Sequence, residues 1–235
     1  MLPLRDLNPT RRTPYVTWSL IALCSLVFLY ELSLGPGNGE DGLAALLTQW
    51  GAVPGRITTA LNRGEVVSPA TLGLVSSQFL HGGWLHILGN MLYLWIFGNN
   101  IEDRLGPVLY LAFYLVAGVV AGLTQVVIDP WSQVPLVGAS GAIAGVLGAY
   151  LVLYPGARVL SAVFLGYFVQ LVAVPAVIVL GLWFVLQLLS GAASLGAPTA
   201  AEGGIATFAH VGGFVMGVLA GLLLRAGSSR RWRVG

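Results

Sequence analysis

The sequence predicts an all-α polytopic membrane protein: a six-transmembrane-helix bundle whose fourth, central helix is short. Three observations carry this. Apolar residues make up 57% of the chain and charged residues only 9%, against about 25% charged in an ordinary soluble domain. Most side chains must therefore face lipid or other protein. Six apolar runs are separated by polar or Pro/Gly breaks. Finally, the polar residues within runs two, four and six sit near one end of each, and hydrocarbon tolerates such residues only with a reason.

A helix needs about 20 mostly apolar residues to cross roughly 30 Å of hydrocarbon. Residues 15–34 form the first such run, opened by Pro14 and closed by Gly35-Pro36-Gly37. A more polar stretch follows to Pro69, within which Leu43–Trp50 predicts a short interfacial helix with Trp50 at headgroup level. The second span covers 81–101 and ends in Glu102-Asp103-Arg104, a structural turn; the third covers 108–128 and stops at Asp129-Pro130. The fourth, 140–154, has 15 residues, about 22 Å as a helix. Residues 159–190 exceed one span and contain Pro175, so the first half is read as an interfacial turn and 174–190 as span five. Residues 205–224 are the sixth span.

The organisation is thus a basic N-terminus (1–14), a membrane domain (15–225) and a basic tail (226–235). All eleven basic residues are Arg, and the net charge is +2. Arg5, Arg11 and Arg12 precede the first span; Arg225, Arg230, Arg231 and Arg233 follow or close the last. Beside apolar spans such clusters set topology by staying on the cytoplasmic side, so no nucleic-acid partner is expected. Six spans put both ends inside, in the plasma (inner) membrane, with Arg104 and Arg158 also inside and only Arg56 and Arg63 outside. The first run is long enough to stay in the protein and lacks a small-residue cleavage site, so it reads as a span and not as a signal peptide. The single Cys24 lies mid-span and forms no intrachain disulfide.

With the N-terminus inside, spans two, four and six enter from the outer face. Near their outer ends lie His81, His86 and Asn90, then Ser140, then His210. His210 falls about 8 Å below the start of its span, and His86 and Asn90 share a helix face at i and i+4. A single Ser bonded to its own i−4 carbonyl, or a single packed His, is ordinary in a membrane helix. Agreement in level across three spans marks a site, either catalytic or on a transport path. A helix too short to cross starts inside the bilayer, where irregular backbone needs protein or a water-filled cavity over it. Ser140 would begin that helix, with free N–H groups and the positive dipole end suited to a developing anion. Gly141 and Gly145, and Gly213, Gly217 and Gly221, have the small-residue spacing that lets helices approach closely.

Gly138-Ala139-Ser140-Gly141 resembles the GxSG motif of rhomboid intramembrane serine proteases. Ala209-His210-Val211-Gly212-Gly213 resembles their AHxxG motif, and the segment from His81 through His86 to Asn90 resembles their HxxxxHxxxN pattern. Order, spacing and placement match, from about Pro14 to Arg225. The resemblance implies a six-helix rhomboid core and a Ser–His dyad, with Ser140 as nucleophile and His210 as base. His86, Asn90 and the Ser140 backbone N–H would form the oxyanion hole, with Gly138, Gly141, His81 and Gly213 in support. It also implies single-span transmembrane substrates cut near the outer leaflet at small residues, and a lateral gate formed by span five and the loop 191–204.

Two features depart from the pattern. Many rhomboids carry an aromatic residue four positions after the nucleophile that packs on the His; Ala144 stands there. Well-known bacterial members have a Trp-Arg pair in the first loop, absent between Gly35 and Pro69. No Asp or Glu lies at the depth of His210 in spans two, four or six, so a dyad is expected, with the imidazole oriented by packing and Glu31 at or beyond the outer interface. No metal or organic cofactor is expected, since three dispersed His residues without a neighbouring carboxylate or thiolate do not make a zinc site. The alternative function is a catalytically silent rhomboid-like binder of membrane proteins, although such relatives typically lack the Ser or the His. A transporter would be favoured by repeats or paired intramembrane charges, and no clear internal repeat is evident. The sequence leaves the oligomeric state open.

Overall fold

The computed structural model describes residues 1–35, 41–166, 168–195 and 207–231. A short strand β1 (Leu2–Asp6) leads into α1 (Tyr15–Ser33). Three short helices follow: α2 (Asp41–Trp50), α3 (Pro54–Asn62) and α4 (Pro69–Ser76), the last running into a 3-10 turn at Ser77–Phe79. Then come α5 (Trp84–Leu105), α6 (Pro107–Ile128) and α7 (Ser140–Leu153), a hairpin of β2 (Arg158–Leu165) and β3 (Phe168–Pro175), and finally α8 (Ala176–Leu195) and α9 (Thr207–Arg231).

Tyr15–Ser33, Pro107–Ile128 and Thr207–Ala226 are long and apolar enough to cross a bilayer, and Ser140–Leu153 and Ala176–Leu189 are shorter apolar helices. α5 is as long as α6 but carries Glu102, Asp103 and Arg104 at one end. The chain is a multi-pass helical membrane bundle, and the six predicted runs correspond to α1, α5, α6, α7, α8 and α9. Ile205, the Glu202 side of the predicted gate loop and the last four residues lie outside the described residues.

α7 is the centre of the bundle. Every residue from Ala142 to Tyr150 is buried, as expected of a helix apolar all round. Its neighbours are α9, α6 and α5. Small residues permit this: a Cβ added at Gly141 or Gly145 would lie 2.6 Å from the Cβ of Ala121 or Ala117 on α6. On the other side, Gly213 and Gly217 of α9 lie against the carbonyl oxygens of Gly141 and Gly145.

The end of the bundle away from Ser140 is tied by carboxylates. Glu102 accepts the N–H groups of Val16 (2.9 Å) and Thr17 (2.8 Å) and the Thr17 hydroxyl (2.7 Å). A negative charge thus satisfies orphan donors at the N-terminus of α1, where the helix dipole favours it. Asp103 accepts the N–H groups of Arg12 (3.0 Å) and Arg11 (3.3 Å). Glu102 to Leu105, expected in an inner turn, are instead the last turn of α5, where Glu102 and Asp103 have a structural task.

Two regions differ from the sequence expectation. Residues 158–175, expected to begin as an interfacial turn, form the antiparallel β2–β3 hairpin, with Arg158 opposite Pro175 and Leu165 opposite Phe168. Gly166, at φ 61°, supplies the left-handed turn residue. Uncharged after Arg158 and rich in Val, Leu and Phe, the segment suits a pleated surface. β1 pairs with β2 and completes a three-stranded sheet, with a bulge between Pro3 and Arg5. Because Val174 and Pro175 still pair in β3, α8 begins at Ala176 and not at Val174.

The second region is the first loop. α2 coincides with the expected interfacial helix, but α3 and α4 add two more. Ser68 caps α4 through a reciprocal capping box with Thr71. Ala52 and Leu136 exchange backbone hydrogen bonds of 3.0 and 2.9 Å, joining this layer to the α6–α7 connection over Ile57, Leu74 and Val126. Arg56 Nη1 donates to Thr48 O at 2.8 Å and ties α3 to α2 in a loop lacking the Trp-Arg pair.

Candidate active site

The connection into α7 makes a turn that only glycine suits. Gly138 has φ 121°, and its N–H donates to the Ser77 carbonyl at 2.8 Å. This places Ser140 as the first residue of α7, half-buried, with a backbone N–H that has no partner within its own helix.

α9 brings His210 to it. Gly213 against the Gly141 carbonyl lets the two backbones approach, and His210 Nε2 then lies 2.6 Å from Ser140 Oγ. The other ring nitrogen, Nδ1, lies 2.7 Å from Gln187 Oε1 on α8. An amide oxygen only accepts, so Nδ1 carries the proton and Nε2 is the lone-pair acceptor facing the Ser140 hydroxyl. Trp183, one turn before Gln187 on α8, packs on the same imidazole with ring centroids 5.9 Å apart. His210 is therefore oriented by a hydrogen bond and an aromatic contact, where the sequence suggested packing alone. The aromatic comes from α8, not from the position of Ala144, which is fully buried beside Gly213.

α5 contributes from the other side. A Cβ added at Gly138 would lie 2.5 Å from His86 Nε2 and 3.6 Å from Asn90 Nδ2, so both side chains reach the turn before Ser140. Asn90 is buried, and its Nδ2 has no hydrogen-bond partner among the described residues. A buried unspent donor is costly and rare. A cavity of about 250 Å³ opens between Asn90, His86, Ser140, His210, Trp183 and Gln187.

His81 does not line that cavity. It is buried before α5, its backbone N–H donating to the Glu31 carboxylate (3.0 and 3.2 Å) and its ring lying edge-on to His86 at 5.3 Å. Glu31, expected at or beyond the interface, is buried at the end of α1, because the loop supplies that N–H to its carboxylate. The structure thus brings together Ser140, His210, His86, Asn90, Gly138, Gly141 and Gly213, with His81 behind His86. Sequence reasoning missed Gln187 and Trp183. The signal was present: Gln187 is the one amide or charged side chain among residues 176–189 of an apolar helix, and intramembrane polar groups are functional candidates by default.

Residues 69–227 match the family model described as the Rhomboid domain. The chain belongs to the rhomboid family. The match begins at α4 and contains every residue of this rhomboid's site. Curated relatives include RHOMBOID-like protein 5 of Arabidopsis thaliana, 37% identical over 39% of this chain and 30% of that protein. Rhomboid protein 1, mitochondrial, of Saccharomyces cerevisiae is 32% identical over 64% of this chain and 41% of its own length. Rhomboid protease GluP of Bacillus subtilis is 34% identical over 59% of this chain and 24% of its own. The matched part thus spans less than half the length of each of these relatives. Some relatives are named as proteases and others only as rhomboid-like, so membership carries the fold and the membrane setting, while activity rests on the residues present.

Proposed function

We propose that this rhomboid is an intramembrane serine endopeptidase using Ser140 and His210. The observation that carries the reading is the 2.6 Å approach of His210 Nε2 to Ser140 Oγ within a largely apolar bundle. A nucleophile and base within hydrogen-bond reach, the base oriented by a third group, is the arrangement such catalysis needs.

Ser140 Oγ attacks the scissile carbonyl as its proton passes to His210 Nε2. Charge developing on the carbonyl oxygen is met by the Asn90 amide, the His86 ring N–H and the Ser140 backbone N–H, all directed at the first turn of α7. His210 then gives the proton to the leaving amine, and a water activated by the same nitrogen releases the acyl group. The substrates are single-span transmembrane proteins, cut near the outer leaflet of the plasma (inner) membrane, with both chain ends cytoplasmic. The Arg-rich flanks support that orientation.

The test is cleavage of a model transmembrane substrate in liposomes by wild type, Ser140→Ala and His210→Ala. Wild type cleaves and both variants are silent. If wild type binds the substrate but leaves it intact, the chain is a binder; if either variant cleaves at the wild-type rate, the dyad is misassigned.

A further inference from the structure

We propose that α8 is part of the catalytic unit: Gln187 fixes the tautomer and Trp183 the ring plane of His210, so the base works only while this helix stays docked. The inference rests on the Ser140–His210 reading and adds two positioning residues on a third helix.

The two residues stand at i and i+4 and so share one face of α8, and both reach the same imidazole (2.7 Å to Nδ1; ring centroids 5.9 Å). Each constrains what the other leaves free. The amide oxygen accepts only from a protonated Nδ1, which leaves Nε2 as the base; without it the proton is free to sit on either nitrogen. The Trp183 ring, tilted 44° to the imidazole, blocks rotation out of that plane. A Ser–His–Asp triad assigns the first task to a buried carboxylate. An amide does the same here without placing a charge in the membrane.

The burial pattern of α8 makes the contact separable. Its first half is anchored: Ala176, Val179 and Leu180 are buried and the helix follows directly from β3. In its second half, up to Leu189, no residue is fully buried; Val185, Leu186, Leu188 and Leu189 are exposed and Trp183, Phe184 and Gln187 half-buried. Phe184 stacks on Phe214 of α9 with centroids 4.4 Å apart. Among the described residues, this half is held by Trp183 against Tyr93, His210 and Phe214, by Phe184 against Phe214 and by Gln187 against His210, and segments with few buried contacts open first. Outward movement of this half withdraws both constraints on His210 at once, and redocking restores them.

The experiment compares Gln187→Met, which keeps the length but removes the acceptor, with Gln187→Glu, which keeps it. In Gln187→Met, kcat falls about 10- to 100-fold, the scale of a misplaced catalytic group, while KM stays within about twofold. Gln187→Glu recovers most of that loss. ¹⁵N-labelled His spectra of the full-length protein show Nδ1-protonated His210 in wild type and in the Glu variant, and mixed tautomers in the Met variant. Trp183→Leu lowers kcat, and adding it to Gln187→Met costs less than the product of the two losses. If Gln187→Met turns over at the wild-type rate with an unchanged His210 signature, the inference is wrong while the dyad stands. A Glu variant no better than Met also overturns it. Loss of the dyad itself reads differently: Ser140→Ala is then as active as wild type.

Discussion

Gly213 of α9 lies directly against the carbonyl oxygen of Gly141 on α7, and a Cβ added there would overlap it. The helices that carry Ser140 and His210 thus meet backbone to backbone within one turn of both residues. Replacing Gly213 by Ala must move α9 away from α7, because the obstructing atoms are main chain. Overpacking of this kind costs about 1–3 kcal/mol, and an outward shift of about 1 Å costs on the order of 100-fold in rate. Gly213→Ala should therefore lose substrate cleavage and fluorophosphonate labelling together, and Gly213→Val should lose them completely. Gly181→Ala on α8, with open space around the new methyl, is the control and keeps both. Wild-type labelling in Gly213→Ala would show that helix approach does not set the Ser140–His210 distance.

Asn90 offers the next test. Its Nδ2 is buried without a partner beside the turn before Ser140, a cost the resting protein bears and an oxyanion would relieve. Removing one such donor costs about 10²- to 10³-fold in kcat. Asn90→Ala should show that loss with little change in KM and a thermal midpoint near wild type. A loss seen entirely in KM would place Asn90 in substrate binding instead.

The parts of this molecule legible in the sequence are those where lipid makes a residue conspicuous. Ser140, His210, His86 and Asn90 stand out because polar groups in hydrocarbon need a reason, and their spacing on separate runs brings them to one level. The short fourth helix follows from length alone. Gln187 is equally conspicuous, yet a search for acids on spans two, four and six passes over a neutral amide on span five. The sheet was hidden for another reason. β1 pairs with a strand far along the chain, Leu2 opposite Ala162, and nothing local in Leu2–Asp6 specifies that partner. Likewise, β2 and β3, uncharged after Arg158, lack the polar alternation that separates a half-buried strand from other apolar chain.

Glu31 links the first helix to the site through the loop before α5. Its carboxylate accepts the His81 N–H, and the His81 ring lies against His86. Glu31→Leu removes the acceptor and leaves that N–H unsatisfied, a cost of about 1–3 kcal/mol. The loop then loosens behind His86, so turnover should fall several-fold and proteolysis around Gly82-Gly83 should accelerate. Glu31→Gln, which retains an acceptor, should restore most of both. Equal effects of Leu and Gln would mean that the charge of Glu31, and not its bond to the loop, is what matters.

Glu102 separates stability from catalysis. It lies at the opposite end of α5 from Asn90 and gathers three donors from Val16 and Thr17. Glu102→Ala would leave the buried Thr17 donors and the half-buried Val16 N–H unpaired and remove the anion from the positive end of α1. Hydrogen bonds to a charged group contribute about 1.5–3 kcal/mol each at most, and the losses overlap because the donors share one acceptor. A net loss of about 2–4 kcal/mol follows, visible as a lower denaturation midpoint in detergent. Glu102→Gln, still an acceptor on one oxygen, should fall between wild type and Ala. At temperatures where the variants remain folded, cleavage per labelled Ser140 should match wild type, since among the described residues the side-chain bonds of Glu102 go to α1 and not to α7 or α9. A large fall in turnover per labelled enzyme, without a change in midpoint, would instead make Glu102 part of the functional machinery.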